Sequence, residues 1–465
     1  MSSDNAVNPT PAPEQGSGQP TAPHGERSAG PPKVSADATG ADADREPRRE
    51  ARTSFLLQDL VLEQVYDGVA TRFISRGRDG SEVSVDSHLD ARAGRLLVPL
   101  SPDELRWSSV LLPARPEAYG TTAELDAAIL AHVRRYVRLP REIEPVVPIF
   151  IRATWLYDRN RTVPYLRISG PPGSGKSRAS RVIGHLCQKP YVTNASTTVS
   201  ALFRNMGKLG LHTLVLDEAE HDKDNEMQKA ITQILKVGFE RGGRVERVAE
   251  TAPSGAKQLY VQNFDVFSPK IIAAINHVRD RALQSRCITV HMVKDRNALV
   301  ELPDDYEDAV QWFQNRLLRW RLDNYFQERP EPIRLSIEPR LLQLYWPLAR
   351  VAGEGAGLKA LDALMIELQA EIDEEAENAP EALIAEAMWS LLRRQRTEPI
   401  SYEDIRANIA MDRRDVDAVT VGTFVKRRLG LKVRKPHRGS RVIEGTSEEI
   451  RKALTKAGYP VEEVA

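Results

Sequence analysis

From Ser54 the chain takes up an alternation of apolar and polar positions with a period of two. The alternation is clearest in TRFISRGRDGSEVSVDSHL, where it runs across Asp79-Gly80 as a hairpin would. From Thr121 to Tyr157 the apolar spacing turns helical, broken at Pro140 and Pro145, and VPYLRIS then returns to a strand. Between Arg178 and Lys270 strand-like and helix-like stretches alternate at intervals that suit a parallel sheet covered by helices. The period is helical almost throughout from Asp304 to Glu375, most strongly in YEDAVQWFQNRLLRWRL and EPRLLQLYWPLARVAG. The acidic run EIDEEAENAPE reads as a connector or a solvated helix end. Beyond it, ALIAEAMWSLLRR, SYEDIRANI and DVDAVTVGTFVKRRL read as three helices and KVRKPHRGSRVIEG as a short strand pair round a glycine turn, the make-up of a winged helix.

These patterns predict an α/β chain in five parts. Residues 1–52, rich in Pro, Ala, Ser, Gly and Asp, bury too little to offset chain entropy and are expected to be a disordered tail. A small mixed unit fills 53–118, an α/β core 119–298, a helical subdomain 299–377 and a winged-helix domain 378–465.

Composition removes several function classes. Lys plus Arg and Asp plus Glu both number 65, so the formal net charge is zero and a uniformly basic nucleic-acid binder is excluded; any such contact comes from local patches. Cys187 and Cys287 stand far apart, with no C-x-x-C and no histidine cluster. They are expected as small core residues in a reducing compartment, neither a disulfide framework nor a zinc site. No run of eighteen apolar residues occurs and the N-terminus carries no apolar signal core, so a soluble, cytoplasmic protein without membrane contact is expected.

The chemistry begins at RISGPPGSGKSRAS, where a strand runs into a loop with no large side chain until a lysine. Gly170, Pro171, Pro172, Gly173, Ser174, Gly175, Lys176 and Ser177 fit the pattern G-x-x-x-x-G-K-[ST], a nest of backbone N–H groups for a phosphate at the start of a helix. Lys176 would reach the outer phosphates of ATP and the Ser177 hydroxyl would ligate Mg²⁺. Downstream, HTLVLDEAE ends an apolar strand in Asp217 and Glu218. Asp217 would hold Mg²⁺ and Glu218 would act as general base on the attacking water. PKIIAAINH ends in Asn276, whose amide could orient that water or merely cap a strand end. In DRALQSRCITV, Arg281 and Arg286 precede a further strand; Arg286 is either a surface helix-end charge or reaches a neighbouring subunit's nucleotide.

The order GPPGSGKS, LVLDE, IAAIN, LQSRC resembles the AAA+ ATPases, with their Walker A, Walker B, sensor 1 and arginine-finger elements. VPYLRISGPPGSGKSR, TLVLDEAE and GFERGGRVERV also resemble the ATPase parts of phage- and mobile-element-type helicases and primase-helicases, without a primase half or zinc finger. The resemblance implies a P-loop core with a helical lid, a ring assembly, hexameric on the family pattern, and a sensor 2 role toward the nucleotide for Arg340. It also implies that the hairpin in RGGRVERVAETAPSGAKQLYVQNF points into a central channel.

Two local features bear on DNA as partner. Arg241, Arg244, Arg247 and Lys257 of that hairpin could meet phosphates, or pair with Glu246 and Glu250 on a solvated edge. The segment KRRLGLKVRKPHRGSR carries Lys426 together with Arg427, Arg428, Lys432, Arg434, Lys435, Arg438 and Arg441 and no acid. Few aromatics interleave with these charges, so contacts to a duplex backbone are expected, with a protein–protein joint as the alternative. The function expected is thus a Mg²⁺-dependent ATPase moving or unwinding DNA. A DNA-binding switch or loader that unwinds nothing, and a protein-remodelling ATPase, are the rivals.

Overall fold

The computed structural model describes residues 47–108, 110–193, 197–217, 226–249, 260–274, 281–295, 301–328, 331, 335–394, 399–411, 415–437 and 439–459. At its centre stands a five-stranded, all-parallel sheet. Its strands, in chain order, are β1 (Tyr165–Ser169), β2 (Pro190–Thr193), β3 (Thr213–Leu216), β4 (Lys270–Ala274) and β5 (Cys287–His291), and they lie side by side as β5-β1-β4-β3-β2. All five residues of β1 and all four of β3 are buried, the polar Arg167, Ser169 and Thr213 with them, as suits strands covered on both faces. Helices Lys176–Leu186, Val199–Leu209 and Glu226–Val237 connect or cover them. The first lies close on the sheet: a Cβ on Gly184 would come within 2.9 Å of a Val215 methyl.

The alternating N-terminal stretch forms an antiparallel sheet of Ser54–Leu56, Leu60–Tyr66, Thr71–Gly77 and Glu82–Val85, with the Asp79-Gly80 turn where the sequence predicts it. The tail boundary is different. Arg48–Ala51 is a strand, parallel to Arg95–Val98, and Arg95 bridges Glu50 and Asp90 at 2.8 Å each. The charged sequence RREA carries no alternation, because backbone pairing and these ion pairs hold it rather than burial. Residues 1–46 lie outside the described residues.

The helices of the 299–377 stretch, Tyr306–Asn324, Pro339–Ala352 and Ala356–Glu377, do not make a core of their own. Leu317, Tyr345 and Met365 share one hydrophobic core with the sheet, and Val65, Ile74 and Leu100 of the N-terminal unit join it. A wholly buried ionic cluster ties three of these parts together. Glu63 of the N-terminal sheet accepts from Lys189 at 2.5 Å and from Arg321 at 2.8 Å, and Arg321 also grips Asp158 at 2.8 Å. Lys189 takes φ 44°, a left-handed value uncommon for a side-chain-bearing residue, and its ammonium also meets Thr53 O and Ser54 Oγ.

Residues 383–454 have a separate core, with Ile384, Met388, Ile405, Val421 and Leu454 at its centre. Helices Pro380–Arg393, Tyr402–Ala410 and Ala418–Thr423 are followed by a two-stranded ribbon, Val433–Arg434 with Val442–Ile443. A last helix, Ser447–Lys456, opened by a Thr446/Glu449 capping box, was not among the expected elements. Cys187 and Cys287 are free and buried, and burial pushes both thiols up to about 12, in keeping with core residues. Among the described residues no helix is long and apolar enough to cross a membrane.

Candidate nucleotide-binding site

β1 delivers the chain into the glycine loop, and the loop leads straight into the Lys176–Leu186 helix, whose first free N–H groups point back at it. The backbone demands glycine here. Gly173 and Gly175 take φ 75° and 85°, and a Cβ on Gly170 would stand 2.5 Å from the Met292 carbonyl and 2.8 Å from Ser174 Oγ. Lys176 folds over the loop, donating to Gly170 O at 2.9 Å and Pro171 O at 3.0 Å, so its ammonium lies at the mouth of the cradle. Ser177 is exposed in the first helical turn, whereas Ser174 is buried and its hydroxyl has no hydrogen-bond partner among the described residues.

The acidic side of the site comes from β3, which ends at Leu216 so that Asp217 stands at the sheet's C-terminal edge, the edge that also carries the loop. Asp217 is half-buried, and its buried Oδ1 lacks a hydrogen-bond partner among the described residues. A carboxylate oxygen left so suits a cation. No group of three His, Cys, Asp or Glu side chains that could hold a metal occurs among the described residues, so a metal here would draw on Ser177, Asp217 and the phosphates themselves. β4 runs between β1 and β3 and ends at Ala274, two residues before Asn276. Glu218 and Asn276 lie outside the described residues.

Beside the loop opens a cavity of about 220 Å³, lined by Ser174, Gly175 and Arg178 together with Arg134 to Arg138, Met292, Val293 and Asp295. The sequence reading missed Met292 and this wall, because only the folded register carries the exit of β5 under the loop, where Met292 N donates to Ser169 O at 2.7 Å. A larger cavity, of about 630 Å³, is lined by the ion pair of buried Arg152 with half-buried Asp126, and neither the glycine loop nor Asp217 lines it.

Arg286 and Arg340 lie elsewhere. Arg286 is at the start of β5, where its carbonyl accepts from Tyr165 N, and its guanidinium sits 5.7 Å from the Phe239 ring centroid while donating to Ala282 O. Arg340 lies 5.6 Å from the same ring and donates to Gln343 at 2.6 Å. Phe239 itself belongs to the N-terminal end of β1, since its carbonyl accepts from Val163 N. Both arginines therefore stand at the end of the sheet opposite their own glycine loop, beyond the length of β1, roughly 13 Å at 3.3 Å per residue. A contact from Arg340 to phosphates in its own chain's loop would have to span that distance.

The hairpin Arg244–Ala249 with Tyr260–Asp265 is as expected, and its tip with Lys257 lies outside the described residues. Its cations divide. The Arg241 guanidinium is held by the carbonyls of Asp158 and Asn160, which clamps the hairpin's foot, and Arg247 stacks 4.8 Å from the Phe203 ring and reaches Gln233. Arg244 is exposed. The other foot is pinned by the buried Lys270, whose ammonium meets the carbonyls of Gly238, Val266 and Ser268; burial drives its pKa well down. In the C-terminal unit, Lys426, Arg427, Arg428, Lys432, Arg434, Lys435 and Arg441 are all exposed and make no ion pair among the described residues. The first three ride on a π-helical turn, Phe424–Arg428, anchored by buried Phe424 and Val425. Arg438 lies outside the described residues.

No family model matches the sequence, and no curated protein matches it. Among solved structures, the chain is similar to the apo C-terminal region of NrS-1 (10% identity, 82% of this chain and 95% of that one, TM-score 0.36). It is also similar to the SCCmec type IV Cch active helicase (12% identity, 86% and 97%, TM-score 0.35) and to inhibitor-bound JCV helicase (15%, 54% and 60%, TM-score 0.23). Similarity this low assigns no activity to the chain.

Proposed function

We propose that this chain is a Mg²⁺-dependent ATP hydrolase of the AAA+ class that assembles as a ring, a hexamer on the family pattern, and moves along or remodels DNA. The observation that carries the reading is the pairing of a glycine-only cradle under Lys176 with a buried Asp217 oxygen, unpartnered among the described residues, at the same sheet edge. Loop N–H groups and Lys176 would bind and orient the phosphates, with Lys176 exchanging two backbone carbonyls for phosphate oxygens. Ser177 and Asp217 fit Mg²⁺, which when bound would neutralise charge on the phosphates. Glu218 would take the proton of the attacking water as its oxygen closes on the γ-phosphorus, Asn276 would orient that water, and Arg286 of a neighbouring copy would meet the developing charge.

The seven exposed cations of the C-terminal unit, with Arg244 on the hairpin, favour DNA over polypeptide as the partner. A loader that couples ATP to DNA without unwinding rests on the same residues; a strand-displacement assay separates the two, since a loader releases no strand. The site itself is tested by ATP turnover in a Mg²⁺ titration. Asp217→Asn is expected to raise the Mg²⁺ needed for half-maximal turnover at least tenfold, and an unchanged Mg²⁺ dependence would overturn the assignment.

A further inference from the structure

Two half-buried guanidiniums share one aromatic ring, and among the described residues no carboxylate pairs with either, so an anion would find two uncommitted charges there. Arg286 and Arg340 come from separate parts of the chain, the short Arg281–Gln284 helix with its exit and the start of the Pro339–Ala352 helix, yet both lie on Phe239. Phe239 is buried and fixed edge-on by Tyr165 at 5.8 Å. Neither arginine has a carboxylate partner among the described residues. Their fixed bonds go to neutral oxygens, Ala282 O and Gln343 Oε1, and the buried Arg286 Nε has no partner there at all. A phosphate brought to this ring would give each guanidinium a charge-assisted contact.

We infer that Arg340 works with Arg286 as a second arginine acting on the nucleotide of a neighbouring copy. The inference rests on the ring-ATPase reading. Both groups stand at the end of β1 away from their own loop, so no phosphate in that loop is within their reach. In a head-to-tail assembly one surface of a copy meets a different surface of the next, which brings the Phe239 end of one sheet toward the loop end of another. Arg340 then contributes to catalysis in a protomer other than its own.

The test is subunit mixing. Arg340→Ala is expected to bind ATP within twofold of wild type and to turn it over at least about tenfold more slowly. Lys176→Ala is inactive in its own loop but keeps both arginines, so adding it to Arg340→Ala should restore turnover. The double variant Lys176→Ala/Arg340→Ala should not. Arg340→Gln, with an unchanged melting temperature, guards against simple misfolding. Wild-type turnover in Arg340→Ala, or loss that Lys176→Ala fails to restore, overturns the inference. Failure of the ATPase reading looks different: wild type would show no turnover, or Lys176→Ala would retain it.

Discussion

At Gly170 a single added methyl would meet the Met292 carbonyl at 2.5 Å, and neither backbone segment can move without opening the bond from Met292 N to Ser169 O. Gly170→Ala should therefore weaken ATP binding by at least tenfold; titration calorimetry that finds wild-type affinity would contradict the cradle. Lys176→Ala should lose nucleotide binding, whereas Glu218→Gln should bind ATP and hardly turn it over, because one residue grips phosphate and the other moves a proton. Equal, wild-type turnover in both would remove the site assignment. The loop's geometry was legible because its pattern is local: Gly170, Gly173, Gly175, Lys176 and Ser177 sit within eight positions, and the left-handed backbone of Gly173 and Gly175 is where that pattern puts glycine. Arg340 was legible as a candidate but not by side, since its place depends on the approach of Phe239 from a hundred residues away.

Elements with a marked apolar signal, continuous in β3 and helical in period in Tyr306–Asn324, could be read from the chain. The Arg48–Ala51 strand could not, because its partners at 95–98 hold it, while the Ser447–Lys456 helix did carry a signal, the Thr446/Glu449 capping box. Nor does periodicity reveal that Tyr306–Asn324 is fastened to the sheet's body by Arg321 and by Gln314, which donates to the carbonyls of His185 and Cys187. Removing one partner from a buried ion cluster leaves a charge without compensation, so Glu63→Gln should cost about 3–5 kcal/mol. The check is chemical denaturation, and a loss below about 1 kcal/mol would mean the cluster does not join these elements. On the C-terminal unit, Arg427→Glu with Arg428→Glu should weaken duplex binding for all sequences alike and flatten its salt dependence. Sequence-selective loss would point to base contacts instead.

Taken whole, residues 48–377 fold round one main core while 383–454 keep a core of their own, so the exposed cations of 426–441 and the glycine loop stand on two separately packed parts of the chain. The larger core encloses His132 and His212 and half-buries His185, and desolvation lowers each pKa to about 4. The unfolded chain titrates these groups near 6.5 and so binds more protons than the folded one between about pH 6.5 and 4. Stability should be flat above that window and fall as pH drops through it, by up to about 1.4 kcal/mol per pH unit for each histidine. A denaturation midpoint unchanged from pH 7.5 to 5 would contradict this. Coupling between the two bodies is the central claim, and steady-state ATP hydrolysis with Mg²⁺, alone and with single-stranded or duplex DNA, tests it most directly. Turnover should rise with DNA, vanish in Glu218→Gln, and lose its DNA response when the charges of residues 426–441 are reversed. Turnover that ignores DNA in the wild-type protein would contradict the account.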